Sequence, residues 1–195
     1  MAARVLAGAT LPLRGLRPVN LRTDLIQMAD LIELCFGPTM TEAGRASLRE
    51  MRMIGGSDWL SWLLYGADRA LGGLEEGFVW VEDDKIVGNV SLSPANYPRS
   101  EGRGFIIANV AVHPNYRRRG LAQAMVLACL DLAHRKDGTF AILQVEASND
   151  GARKLYEKVG FRAERAFIQW RHGPQISPLT RLAVTPTITL RQGGQ

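Results

Sequence analysis

Phe105-Ile106-Ile107-Ala108-Asn109-Val110-Ala111-Val112, then His113-Pro114-Asn115-Tyr116, then Arg117-Arg118-Arg119-Gly120-Leu121-Ala122, is the stretch whose reading decides the architecture. The first run is almost wholly apolar, of strand length and too short for a helix. His113-Pro114-Asn115-Tyr116 marks a turn. Beyond it Leu121, Met125, Ala128 and Leu132 recur on one helical face, and Gly138 closes the pattern before a second apolar run from Thr139 to Val145. Strand, crossover helix and strand form a βαβ unit, which within one sheet is parallel and right-handed. Chemistry is therefore expected where the first strand ends and the helix begins.

The first turn of a helix has backbone N–H groups without partners and carries the positive end of the dipole, so it attracts anions. Three arginines adjoin this one. Gly120 admits close approach to the backbone and Ala122 adds little bulk, so the amides of Arg118 to Ala122 can wrap a pyrophosphate. A phosphate-bearing cofactor is expected. The chain has no Gly-rich run ending in Lys-Ser/Thr, and Gly102-Arg103-Gly104 precedes a strand and lacks the third glycine of a dinucleotide fingerprint. These absences disfavour mononucleotide and dinucleotide folds.

A second helix follows the second strand. Ser148 or Asn149 suits its N-cap, Gly160 its end, and Ala152, Leu155, Tyr156 and Val159 its inward face. Asn149 and Tyr156 share a face, ~10 Å apart along the axis at ~3.6 residues per turn. Two readings stand side by side. Tyr156 is a core aromatic with a wet tip and Asn149 only a cap, or the pair holds two points of a long thin ligand.

Val112 followed by Arg117-x-x-Gly120-x-Ala122 resembles the acyl-CoA signature of the GNAT superfamily of N-acyltransferases. Ser148-Asn149-Asp150-Gly151-Ala152-Arg153-Lys154-Leu155-Tyr156 through Gly160-Phe161 is similar to that family's second motif, and the resemblance is specific over about residues 77 to 170. It implies an α/β (α+β) fold in which a mixed, mostly antiparallel sheet, flanked by helices, splays between two parallel strands. It also implies acetyl-CoA as acyl donor. On this resemblance Arg117, Arg118, Arg119, Gly120, Leu121 and Ala122 hold the pyrophosphate. The backbones of Val110 and Val112 meet the pantetheine and thioester, Asn149 contacts the pantetheine arm, and Tyr156 protonates the departing thiolate. Transfer is direct, from thioester to a neutral amine of a small molecule or protein, so Cys35 and Cys129 are not needed as carriers. A CoA-binding or sensing module of the same fold, without turnover, is the alternative.

The general base is less legible. Ribosomal-protein N-terminal acetyltransferases, which the second motif resembles most, carry Glu where this chain has Gln144 and a basic residue where it has Glu146. Gln cannot take a proton. Glu146, on the same strand face as Gln144, is the candidate base, with Glu82, His113 or a water chain as substitutes.

With 46% apolar and 22% charged residues in 195, the chain can bury a core without metals or disulfides. A tail over 1–15 and one acetyltransferase domain over 16–195 are expected. Cys35 and Cys129 fall in helical patterns and read as reduced thiols, and His113, His134 and His172 lack metal-ligand spacing. The net charge of +5 is dispersed apart from Arg117 to Arg119, and no aromatic interleaving accompanies them, so no nucleic-acid partner is expected. Arg4 and a patch broken by Pro12 make a poor signal peptide, and no apolar run reaches membrane-span length. A cytoplasmic protein is predicted, and a homodimer is compatible with this reading.

Outside the core, Leu16 to Arg22 reads as a strand and Asp24 as the cap of a helix with face Leu25, Met28, Leu31, Ile32 and Cys35. Thr41-Glu42 begins another helix, which Gly55-Gly56 breaks. Trp59, Trp62 and Tyr65 read as core aromatics or a substrate wall. Phe78 to Glu82 and Lys85 to Leu92 form a hairpin through Asp83-Asp84, and Ser93 to Gly104 is long enough to border a cleft. Arg162 to Trp170 reads as a strand and 173–181 as a loop. Pro186 assigns the last apolar alternation to a sheet edge or to no strand.

Overall fold

The structure, a computed structural model, describes residues 14–57, 76–96, 100, 102–170 and 184–193. Trp59, Trp62, Tyr65, the loop at 173–181 and nearly all of the expected N-terminal tail lie outside them. The chain groups into two compact units, each built from separate stretches: Met1–Val90 with Asn109–Met125, and Ser91–Ala108 with Val126–Gln195.

In the first unit β1 (Gly15–Pro18) pairs antiparallel with β2 (Glu76–Glu82), and β3 (Lys85–Pro94) and β4 (Gly104–Val112) follow in sheet order. Asp83 and Asp84 both have positive φ, 48° and 60°, as a two-residue turn matched to strand twist requires. Helix α1 (Leu25–Phe36) lays Met28 and Leu31 on Val79, Val81, Ile86 and Ala111. Its Ala29 and Ile32 instead meet Leu48 of α2 (Glu42–Gly55). The apolar residues expected to form one stripe thus serve two partners. Thr41 caps α2, its hydroxyl accepting from the Gly44 N–H at 3.2 Å.

Two expectations are corrected here. β1 ends at Pro18 rather than Arg22, because Asn20 to Asp24 closes into a turn. Asp24 stands at the start of α1 but does not cap it. Its carboxylate takes both Arg17 amines, at 2.6 and 2.8 Å, and the Asn20 N–H at 2.7 Å. The pair is buried, with side-chain exposures of 10% and 3%, and its geometry is a bidentate fork. Asp24→Asn should therefore lower unfolding stability by about 2 kcal/mol, since it strips a charged hydrogen-bond acceptor from a buried guanidinium. A denaturant titration checks this, and an unchanged midpoint would show that the fork contributes nothing net.

In the second unit β4 is followed in sheet order by β5 (Phe140–Glu146), β7 (Val184–Gly193) and β6 (Arg162–Trp170). β4 is parallel to β5 only through Gly104, Phe105 and Ile106, opposite Phe140, Ala141 and Ile142. The connection between them contains α3 (Leu121–Arg135), whose buried residues are Leu121, Met125, Val126, Cys129 and Ala133. That face is rotated slightly from the predicted one. Gly138 does lie at the helix end, but Asp137, φ 58°, is the left-handed residue. Gly138 is there for space: a Cβ would lie 2.7 Å from the Ala133 carbonyl oxygen.

Helix α4 (Asp150–Lys158) ends as expected at Gly160, φ 96°. The edge assignment of Pro186 is overturned, for β7 lies between β5 and β6. Pairing with β5 runs from Gly193 only as far as Thr187, so Pro186 sits one residue beyond it, opposite Ile168 of β6 alone. The missing N–H therefore interrupts no bond toward β5.

Candidate acyl-CoA site

The end of β4 and the start of α3 carry the first group of predicted residues, Val110, Val112 and Arg117 to Ala122, all in the first unit. Asn109 is left-handed at φ 52°, a kink just before Val110. After Val112, His113 Nδ1 accepts from the Asn115 N–H at 3.3 Å and starts a single turn over Pro114–Tyr116. Arg117 is extended, Arg118 is left-handed at φ 64° and Gly120 at φ 82°. Left-handed residues in a short loop re-aim the backbone amides that follow them, the kind of backbone from which anion-binding nests are built. A Cβ at Gly120 would meet nothing within 4 Å. Ala124 N–H bonds the Gly120 carbonyl at 3.0 Å, which leaves the amides of Leu121, Ala122 and Gln123 outside the helix's own bonding pattern.

The arginine side chains do something the sequence did not suggest. Arg117 Nε donates to the Val112 carbonyl at 3.1 Å, and Arg119 donates to the Asn115 carbonyl at 3.1 Å while stacking 5.0 Å over the Tyr116 ring. Two of the three guanidiniums thus bind the loop that carries them. The Cys35 thiol also reaches the Val112 carbonyl, at 3.5 Å.

Glu146, Asn149 and Tyr156 form the second group, in the second unit. Asn149 is the N-cap of α4, its Oδ1 accepting from the Ala152 N–H at 3.1 Å. Tyr156 is 6% exposed, and its ring meets Phe161 edge to face at 6.0 Å. Burial pushes its phenol up to about 12. The ring is thus a core aromatic. Among the described residues, Asn89 Oδ1 is the fully buried side-chain polar atom without a partner, so the Tyr156 hydroxyl is either partnered or in reach of solvent. On β5, Gln144 is exposed and Glu146 half-buried, and the two alternate on one face.

The substitute bases differ in freedom. Glu82 accepts from Trp80 Nε1 at 3.0 Å and from Arg14, and the Trp80 bond first, then Arg14, holds its carboxyl below the usual range. His113 uses Nδ1 in its turn and keeps only Nε2. Among the described residues no cluster of three or more His, Cys, Asp or Glu could hold a metal, and no helix is long and apolar enough to cross a membrane.

Cys129 is fully buried, and burial pushes its thiol up to about 12, whereas Cys35 is half-buried. Native protein should therefore show one thiol reacting promptly with an aromatic disulfide reagent and the second only on unfolding. Two prompt thiols would contradict the burial of Cys129.

A mixed sheet flanked by helices, with a parallel strand pair bridged by a helix, defines the class. The chain belongs to the acetyltransferase (GNAT) family, whose model matches residues 45–161. It is 29% identical over 100 residues to N-alpha-acetyltransferase 30 of Schizosaccharomyces pombe, covering 51% of this chain and 66% of that protein. Over 53 residues it is 40% identical to the [ribosomal protein bS18]-alanine N-acetyltransferase of Escherichia coli K12, covering 27% of this chain and 36% of that protein. The chain thus spans less than two thirds of the length of either relative. The crystal structure of Arabidopsis thaliana NAA60 in complex with acetyl-CoA shares the fold, with a TM-score of 0.62 at 18% identity, covering 91% of this chain and 97% of that one.

Proposed function

We propose that this chain is an acetyl-CoA-dependent N-acetyltransferase that moves the acetyl group directly to a primary amine, and that the amine is the α-amino group of a protein. The observation that carries the reading is the loop from Arg117 to Ala122, with left-handed Arg118 and Gly120 and open space beside Gly120. Its amides take the pyrophosphate of acetyl-CoA. The backbones of Val110 and Val112 take the pantetheine and thioester, with Asn149 on the pantetheine arm. An N–H aimed at the thioester oxygen contributes about 3 kcal/mol to the tetrahedral intermediate. Tyr156 is, in this reading, the proton donor toward the departing sulfur.

Glu146 is the base in this reading. It is half-buried on the outward face of β5, whereas Glu82 is held ionised by Trp80 and Arg14 and is a poor proton acceptor. The protein acceptor is supported by the relatives, which are named for α-amino acetylation and for acetylation of a ribosomal-protein alanine.

The test has two stages. CoA at ~100 times its dissociation constant should stabilise the fold by about 2.7 kcal/mol in thermal melts, and no shift at millimolar CoA overturns the reading. Mass spectrometry of a peptide library incubated with acetyl-CoA should then show acetylated N-termini. Gln144, which cannot take a proton, favours one other reading, a CoA-binding module without turnover. That module would give the melt shift and release no thiol over any amine.

A further inference from the structure

The first unit buries a polar side chain in its apolar core. Asn89 lies mid-strand in β3 among Ile86, Val87, Val90 and Leu92 and is 0% exposed. Its Nδ2 donates to the Asn109 carbonyl at 3.1 Å, while its Oδ1 is sealed without a hydrogen-bond partner. A sealed amide oxygen is costly, and an apolar residue of the same volume would suit the core better. Such a side chain is tolerated where it holds something in place.

What it holds is a kink. Asn109 is left-handed at φ 52°, a conformation that non-glycine residues adopt rarely and asparagine more readily than most. Backbone bonds on either side show why a kink is needed. Ala95 N–H bonds the Gly104 carbonyl at 2.9 Å, and His113 N–H bonds the Val87 carbonyl at 2.9 Å. From Gly104 to His113 β4 advances nine residues, while from Ala95 back to Val87 β3 advances eight. β4 therefore carries one extra residue, a bulge that re-aims the backbone after it. The residue after Asn109 is Val110, whose backbone, with that of Val112, takes the pantetheine and thioester in the proposed function.

We propose that Asn89 is a positioning residue for acyl transfer: by holding the Asn109 carbonyl it fixes the kink that aims the Val110 N–H at the thioester oxygen. The proposal rests on the acyl-CoA reading of the loop. Its direct readout is the infrared carbonyl stretch of bound, carbonyl-labelled acetyl-CoA, which a well-aimed donor moves to lower frequency. Asn89→Leu should lose that shift and reduce kcat about tenfold to a hundredfold, in line with a misplaced donor. Affinity for free CoA, which has no acyl carbonyl, should stay as in wild type.

Asn89→Ala, read the same way, covers the case in which leucine overpacks the site. A folded variant that keeps the wild-type carbonyl shift overturns the proposal. So does a set in which neither variant binds CoA, since Asn89 would then be a structural residue of the fold. Wild type that binds acetyl-CoA without any carbonyl shift leaves the cofactor reading standing and removes this one; wild type that binds no acetyl-CoA removes both.

Discussion

Gly120→Glu should abolish CoA binding, and with it the ligand-induced rise in melting temperature. Two effects act together at that position. The backbone is left-handed at φ 82°, where an L side chain is strained, so any replacement pushes the loop toward another path. The open space beside Gly120 would also be filled by a carboxylate set against a dianionic diphosphate. At an effective dielectric near 20, two unit charges ~4 Å apart repel by about 4 kcal/mol, a loss of roughly three decades in affinity before strain is added. Gly120→Ala separates the two contributions, since it brings the strain without the charge and should weaken binding far less. The fold should survive both changes, because nothing lies within 4 Å of the added Cβ. Intact CoA binding in Gly120→Glu would place the anion elsewhere and remove the basis of the cofactor reading.

The elements around this loop were legible because each rests on a local rule. The run from Phe105 to Val112 has strand length and composition, Thr41 and Asn149 are short polar residues at helix starts, and Gly160 supplies the left-handed residue that ends α4. Where a residue's role depends on a distant partner, the sequence was silent or misleading. Asp24 has a cap's position, yet its carboxylate turns to Arg17 on another element, since a buried guanidinium is a stronger claimant than a helix amide. Pro186 looked incompatible with an interior strand because no sequence shows how far a neighbour's pairing extends.

The candidate site divides along the same line. That a glycine opens the helix after β4 could be read from type and spacing, and Gly120 is left-handed there. The use of Arg117 and Arg119 to bind their own loop could not, for three consecutive arginines look alike whether they face a ligand or a carbonyl. Asn89 did leave a signal, a lone amide in the run Ile86 to Leu92, but its partner at Asn109 is visible only in three dimensions.

Tyr156→Phe should leave CoA affinity unchanged and lower kcat by about 10²-fold, at the lower end of the range for a positioned proton donor. The lower end is expected because burial pushes the phenol up to about 12. A thiol titrates near 8.5, so complete transfer from phenol to thiolate would be uphill by ~3.5 pKa units, about 5 kcal/mol. Tyr156 would then act mainly by donating a hydrogen bond to the sulfur as negative charge builds on it, and its own proton would stay largely in place. The pH profile follows with a definite sign. The neutral phenol is the active form, so Tyr156 should impose no alkaline decline on kcat below about pH 11. Folding stability should follow the same shift: with the folded value above the unfolded ~10, stability is full below pH ~10 and falls as pH rises toward 12, a loss Tyr156→Phe should lack. A kcat in Tyr156→Phe equal to wild type would assign protection of the thiolate to water or another group and leave the phenol as a buried aromatic against Phe161.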